Sequence, residues 1–297
     1  MKHVEGVELI TVDKRSGLSG LRNLRERLHG RQFDVLLHMQ LALRSSVMAR
    51  AVAAPMKVGF DRARARELQW MFTNERIEPR IREHVLDSFF GFLAKIGIHE
   101  RVLRWDVPLP EDAIRYAEEL IPDSQPTLVI SPCSSHSLRN WAADRYAAVA
   151  DYAAGELGMR VILAGGPTPL ERETGSAIER LVKTPIVNQI GKDTLPQLLA
   201  LLRRARGLIA PDSGPVHMAT MVGTPVIGLY AATNPARSGP YLSRHLCIDA
   251  YAEAARQFCG KPAEELPWTR KIEEPGVMDL ITVPQVAAKL DELNYPS

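Results

Sequence analysis

The chain is poor in cysteine, with Cys133, Cys247 and Cys259 the only three among 297 residues. They are widely separated and odd in number. Neither a disulfide framework nor a metal-ligand spacing can be read from them, which suits a reducing compartment. The opening residues, Met1 to Gly6, hold no apolar core of the kind a secretory signal needs. No run approaches the ~18 apolar residues of a membrane helix, so any contact with a membrane is expected to be peripheral. A Walker loop, a GxGxxG fingerprint and a GxSxG elbow are all missing. A strong charge of one sign is missing too: the formal net charge is +2, which implies no preference for nucleic acid.

What is present is the composition of a folded protein, 45% hydrophobic and 24% charged. Its length suits two domains of ordinary size or one large one. The charge is unevenly spread. Residues 1–82 carry 16 Lys and Arg against 9 Asp and Glu, a local +7 that leaves −5 for the rest. A basic first segment fits either an anionic partner or a solvated charged face.

Along the chain, residues 7–12 read as a strand, 18–29 as a basic amphipathic helix and 33–40 (FDVLLHMQ) as a buried strand. Residues 41–53 are helical by pattern, 57–60 form a short strand, and 61–82 look like a loop or irregular helices. Residues 84–95 and 111–120 are expected as helices. The polar, turn-forming stretch 121–126 is the expected linker between a domain over 1–122 and a second over 123–297. Beyond it the pattern alternates cleanly, with strands at 127–131, 160–164, 186–189, 207–211 and 225–230. Helices are expected at 143–157, 170–182, 195–205, 215–222 and 283–293. Such alternation predicts an α/β fold with a parallel sheet covered on both faces.

In an open parallel sheet, ligands gather at the carboxyl ends of the strands. Three such ends attract attention. The first is Asp212-Ser213-Gly214-Pro215-Val216-His217, an apolar strand running through a turn into a helix with proline near its start. Free amides at a helix N-terminus favour phosphate. Gly214 allows close approach of a ligand, and His217 in the first turn is placed to donate to a phosphate oxygen. The plainer alternative makes Ser213 a helix cap and His217 a surface histidine. The second end is the loop 131–141, where Arg139 offers a forked pair of donors to phosphate, or is simply solvated, and Trp141 anchors the next helix. The third is Gly165-Gly166-Pro167, followed by Glu171 and Glu173. A carboxylate there can accept from ribose hydroxyls, or merely favour a helix's first turn.

Together these residues resemble glycosyltransferase family 9, the ADP-heptose:lipopolysaccharide heptosyltransferases. The similarity is most specific over residues 195–230 (LPQLLALLRRARGLIAPDSGPVHMATMVGTPVIGLY) and continues through 233–241 (TNPARSGPY). Arg139-Asn140-Trp141 is similar to the family's basic-x-Trp pair, with Arg where Lys is common, and residues 33–40 and 57–60 match more loosely. The resemblance implies a GT-B architecture of two Rossmann-like domains with the active site in the cleft between them. It implies transfer of a heptose from ADP-heptose to the inner core of lipopolysaccharide, on a Kdo-lipid A type acceptor. No metal and no cofactor are implied. Arg139, Asp212, Ser213, Gly214 and His217 would hold the nucleotide diphosphate, and Glu171 would meet the ribose. The setting implied is the cytoplasm, at the cytoplasmic face of the inner membrane. On the N-terminal side, where the family binds acceptor, Arg62, Arg64 and Arg66 are candidates for its carboxylates and phosphates, with Trp70-Met71-Phe72 for lipid. An exposed charged helix with Trp70 turned inward explains the same residues.

The chain departs from the family at its start. Members usually open with a strand and a Ser-Leu-Gly-Asp-like loop whose Asp is the presumed general base; no such segment is found here. The N-terminal domain is therefore expected to be incomplete by roughly one βαβ unit of ~30 residues. A start placed too far downstream is the favoured explanation, with a truncated chain or a natural pseudoenzyme as the others. Asp13 follows an expected strand, but its neighbours do not match the motif and the base is not assigned to it. The rival functions are a nucleotide-sugar epimerase on the same fold and a non-catalytic binder of ADP-sugars.

Overall fold

The computed structural model describes residues 6–13 and 15–294. The chain divides into two compact units, Met1–Leu103 and Arg104–Ser297.

The first unit runs α1 (Gly17–Arg27), β1 (Val35–Leu37), α2 (Leu43–Ala49), β2 (Met56–Gly59), β3 (Glu75–Arg76) and α3 (Val85–Lys95). Its strands form one parallel sheet in the order β1-β2-β3. Val58, Phe60, Ile77 and Phe92 make a small core, with the Phe60 and Phe92 rings edge to face at 5.0 Å. His84 caps α3, its Nδ1 accepting from the Leu86 amide at 3.1 Å. Gln69 is fully buried; its amide group donates to the carbonyls of His38 and Gln40 and accepts from the Phe60 amide. One buried side chain thereby satisfies three backbone groups that no ladder reaches.

Residues 7–12, expected as a strand, form none. Their hydrophobic alternation has no strand to pair with, and Val7 and Leu9 stay exposed. Asp13 instead closes a turn, accepting from the Arg15 amide at 2.8 Å. The two-residue β3 lies in the stretch expected to be irregular, and it pairs with β2 despite having no apolar pattern of its own.

The second unit begins with α4 (Glu111–Leu120), β4 (Thr127–Ile130), α5 (Ala143–Gly155), β5 (Arg160–Leu163), α6 (Pro169–Leu181), β6 (Val187–Asn188) and α7 (Leu195–Arg204). It continues with β7 (Gly207–Pro211), α8 (Gly214–Met221), β8 (Val226–Tyr230), α9 (Pro235–Ser238), β9 (Ile248–Asp249), α10 (Tyr251–Cys259) and α11 (Val283–Asn294). All strands are parallel, in the order β6-β5-β4-β7-β8-β9. β4, β7 and β8 are buried along their whole length because both faces are covered. Leu128, Ile130, Val161, Leu163, Ile209 and Ile227 face α5, α10 and α11, while Val129, Ile162, Leu208, Ala210 and Val226 face α7 and α8. The period of two in each strand divides the apolar residues between two cores.

The unit boundary lies upstream of the expected linker at 121–126. α4 belongs physically with the second unit: Ala113 and Ala117 are buried against Ala200 of α7, and Arg204 donates to the Ile121 carbonyl at 2.8 Å. Small residues on both helices allow this close approach, which outweighs the turn-like composition that follows α4.

Candidate functional site

β4 and β7 are neighbours in space but not in sequence. The chain leaves β4 toward β5 on one side and leaves β7 toward β8 on the other. The order is that of the doubly wound nucleotide-binding sheet, whose ligand crevice opens where the connections diverge. Two of the three expected site segments, 131–141 and 212–217, lie at this point.

At the end of β7, Ser213 takes the N-cap position of α8 in an extended conformation (φ −153°, ψ 170°), with proline in the first turn. Its side chain makes no capping bond, and its Oγ is buried without a partner. It is therefore not the simple cap that the sequence allowed. Gly214 follows and is exposed; a Cβ built there meets nothing within 4 Å. Asp212 accepts from Ser238 Oγ at 3.3 Å. His217, in the first turn of α8, is exposed. Desolvation by the surrounding protein lowers its pKa below the usual histidine value, with Asp212 pulling the other way.

The loop after β4 folds on itself. Asn140 Oδ1 accepts from the Ser134 amide at 2.7 Å, and Ser134 Oγ donates to the His136 carbonyl at 3.0 Å. Trp141 is buried, its Nε1 donating to the Ile281 carbonyl at 2.9 Å and its ring set edge to face on Tyr146. It anchors α5, as expected. Arg139 is not simply solvated: Nε and Nη2 both reach Glu273 Oε1, at 2.7 and 2.6 Å. Asn140 Nδ2 and His136 Nδ1 are buried with no partner.

The loop after β5 shows Glu171 engaged. Its Oε1 accepts from the Gly166 amide at 2.7 Å and its Oε2 from Thr168 Oγ1 at 2.6 Å, while Thr168 caps α6. Glu173 is exposed. Glu171 thus serves the helix start, with carboxylate lone pairs still open to a further donor. Sequence reasoning missed Asp193, in the loop after β6. Its Oδ2 is buried without a partner, and burial, reinforced by Glu171, pushes its pKa up to about 6. The Gly191 amide donates to the Gly165 carbonyl at 2.8 Å, which ties this loop to the one after β5.

Among the described residues, the buried side-chain polar atoms without a partner are Thr73 Oγ1, His136 Nδ1, Asn140 Nδ2, Asp193 Oδ2 and Ser213 Oγ. All but Thr73 lie in loops after β4, β6 and β7. Such atoms cost free energy unless ordered water or a ligand satisfies them, and all four lie in loops at the carboxyl ends of the strands.

Among the candidate arginines of the first unit, Arg64 has another task. Arg64 pairs with Asp61 and Glu83, donates to the Glu78 carbonyl at 2.8 Å and contacts Ser88 Oγ at 3.2 Å. It is mostly buried and knits the segment 61–88 together, a role its sequence context did not announce. Arg62 and Arg66 are exposed. The Arg62 guanidinium lies 5.0 Å from the centre of the Trp70 ring, which is partly exposed rather than turned inward. Among the described residues no helix is long and apolar enough to cross a membrane.

The family model for Glycosyltransferase family 9 (heptosyltransferase) matches residues 21–268. The lipopolysaccharide core heptosyltransferase OpsX of Haemophilus influenzae is 38% identical, over 99% of this chain and 84% of its own length. A family 9 glycosyltransferase structure from Veillonella parvula superposes with a TM-score of 0.77 at 24% identity, covering 98% of this chain and 83% of that one. The E. coli heptosyltransferase WaaC, solved with ADP, gives 0.67 at 18% identity over 93% and 78% of the two chains. A doubly wound parallel sheet, a DSGPVH turn, the family match over residues 21–268 and a relative 38% identical over 99% of this chain therefore agree that this chain belongs to glycosyltransferase family 9, the heptosyltransferases, and has their GT-B fold.

Proposed function

We propose that the chain transfers a heptose from ADP-heptose to the inner core of lipopolysaccharide, with the donor's diphosphate held between the ends of β4 and β7. The observation that carries this reading is the set of unpartnered polar atoms, Ser213 Oγ, Asn140 Nδ2 and His136 Nδ1, in the loops that follow the adjacent strands β4 and β7. The name of the Haemophilus influenzae relative and the ADP in the WaaC structure support the same donor chemistry.

An acceptor hydroxyl oxygen bonds to the anomeric carbon of the sugar, and the bond from that carbon to the β-phosphate oxygen breaks. The acceptor proton passes to a base, and ADP leaves with the electron pair. Charge grows on the departing diphosphate, so donors fixed in advance stabilise the transition state. In this reading those donors are Ser213, the Gly214 amide, His217 and Arg139, with Asp212 bracing the turn. Glu171 accepts from the ribose, and the base of the nucleotide lies toward Asp193. Arg62 and Arg66, both exposed, offer positive charge to a Kdo-lipid A type acceptor, and Arg64 serves its own network. Peripheral contact with the cytoplasmic face of the inner membrane belongs to the same proposal.

The test is ADP release by the purified chain, given ADP-heptose with and without a Kdo-lipid A acceptor. Release that depends on acceptor, with heptose on the lipid product by mass spectrometry, is the expected result. A changed sugar nucleotide without acceptor would indicate an epimerase. ADP-heptose binding without turnover would indicate a non-catalytic binder. Either result overturns the proposal.

A further inference from the structure

Glu273 lies beyond residue 268, the last that the family model matches, yet its carboxylate reaches the loop after β4. The segment carrying it is pinned to the end of the sheet. The Ile272 amide donates to the Ala232 carbonyl just past β8 at 2.8 Å, and Tyr251 Oη donates to the Arg270 carbonyl at 2.9 Å. Further along, the Ile281 carbonyl accepts from Trp141 Nε1 at 2.9 Å and from Arg145 Nη1 at 2.7 Å. The segment is thus fastened on both sides of Glu273, and the carboxylate is held by backbone anchors rather than by a free loop.

Its contacts are specific. One oxygen, Oε1, takes both Nε and Nη2 of Arg139, and the other lies 3.8 Å from His136 Nε2. Burial raises the Glu273 pKa, but the Arg139 hydrogen bond and charge outweigh it, assisted by His136 and Lys271, and hold the carboxyl below the ordinary glutamate value. Nη1 of Arg139 makes no hydrogen bond among the described residues. A planar guanidinium gripped along one edge has its plane and direction set, and the far edge remains to bind.

The geometry points to Glu273 as a positioning residue that holds Arg139 with its free edge ready for the diphosphate of a nucleotide sugar. This rests on the donor site proposed above. A long flexible arginine must otherwise be ordered when the ligand arrives, at a cost in affinity. Outer partners that orient the binding groups of metal sites cost 10- to 100-fold when removed, and here about tenfold is expected because only one of several phosphate donors is affected.

ADP titrations by calorimetry on the full chain test the proposal, with Arg139→Ala, Glu273→Ala, Glu273→Gln and the double alanine variant. Expected are about tenfold weaker binding in Glu273→Ala and recovery of most of it in Glu273→Gln, with a thermal melt of each variant establishing that it is folded at the titration temperature. On the Arg139→Ala background, Glu273→Ala should then add nothing. Binding in Glu273→Ala equal to the parent overturns the positioning role. Tighter binding would also overturn it, by showing the carboxylate to be a competitor of the diphosphate. So would a Glu273→Ala loss that persists without Arg139. If the parent binds ADP and Arg139→Ala binds it equally well, the assignment of Arg139 to the diphosphate falls, and the inference with it. If the parent does not bind ADP, the donor-site reading itself is refuted.

Discussion

Gly214→Ala separates the fold from the ligand at the centre of the site. The added Cβ meets no heavy atom within 4 Å, and Gly214 is not among the residues with positive φ, so the chain itself accepts alanine. Alanine is favoured over glycine in helices and restricts the unfolded chain, so stability should hold or rise by up to about 1 kcal/mol. For a unit of this size that is a melting temperature raised by about 2–4 °C at most. The methyl group enters the space where a diphosphate would approach the α8 amides. Loss of one charge-assisted hydrogen bond costs about 1.5–3 kcal/mol, or roughly 10- to 150-fold in Kd. Calorimetric titration with ADP alongside a thermal melt reads both quantities on one sample. An unchanged Kd with an unchanged or higher melting temperature would refute the cradle. A fall in melting temperature would refute the claim that this side of Gly214 is open.

Other expectations come from titration and charge. Because desolvation lowers the His217 pKa, the free protein resists protonation there, and an arriving diphosphate should raise that pKa. ADP binding should therefore take up a proton as pH falls toward the histidine range, and tighten as it does. Calorimetry in buffers of different ionisation enthalpy should show this uptake, and His217→Gln should abolish it; equal uptake in both proteins would contradict the placement. Asp193 has the opposite sign. Its pKa of about 6 lies above that of an unfolded aspartate, so its contribution to stability is complete below about pH 4 and is lost as pH rises through 6. Asp193→Asn should therefore unfold at higher denaturant than the parent at pH 7.5, with the gap closing toward pH 4; a gap independent of pH would count against the buried carboxyl. Arg64→Ala should destabilise by about 3 kcal/mol, because it removes the cation that pairs with the largely buried Asp61 and Glu83. ADP affinity should be unaffected, and a weaker ADP complex with normal stability would disprove the structural role.

Much of the second unit could be read from residues alone. Apolar runs such as 127–130 and 207–211 alternate with amphipathic helices, and proline or threonine marks the starts of α6 and α7. Strands buried on both faces announce themselves by composition, because nothing polar is tolerated along them. β9 and α10 escaped because the strand is two residues long and the helix buries mainly alanines, so neither carries a strong period. In the first unit the strands are shorter still, and β3 is Glu-Arg, a strand made by its neighbour rather than by its own residues. The alternation at 7–12 was real as a pattern and empty as a prediction, since a strand needs a partner.

By itself the sequence determined the α/β class, the family and the DSGPVH turn at the head of α8, because these depend on local pattern and spacing. Tertiary structure alone decided which polar groups are spoken for. Arg139 is met by a carboxylate 134 residues away, Arg64 is absorbed into an ion-pair network, and Glu171 closes its own helix. It also decided which groups are left waiting, such as Ser213 Oγ, Asn140 Nδ2 and Asp193 Oδ2. Pairing is a matter of a few ångströms between chain segments distant in sequence, and burial sets the cost of an unmet hydrogen bond. Neither quantity is written in the order of the residues.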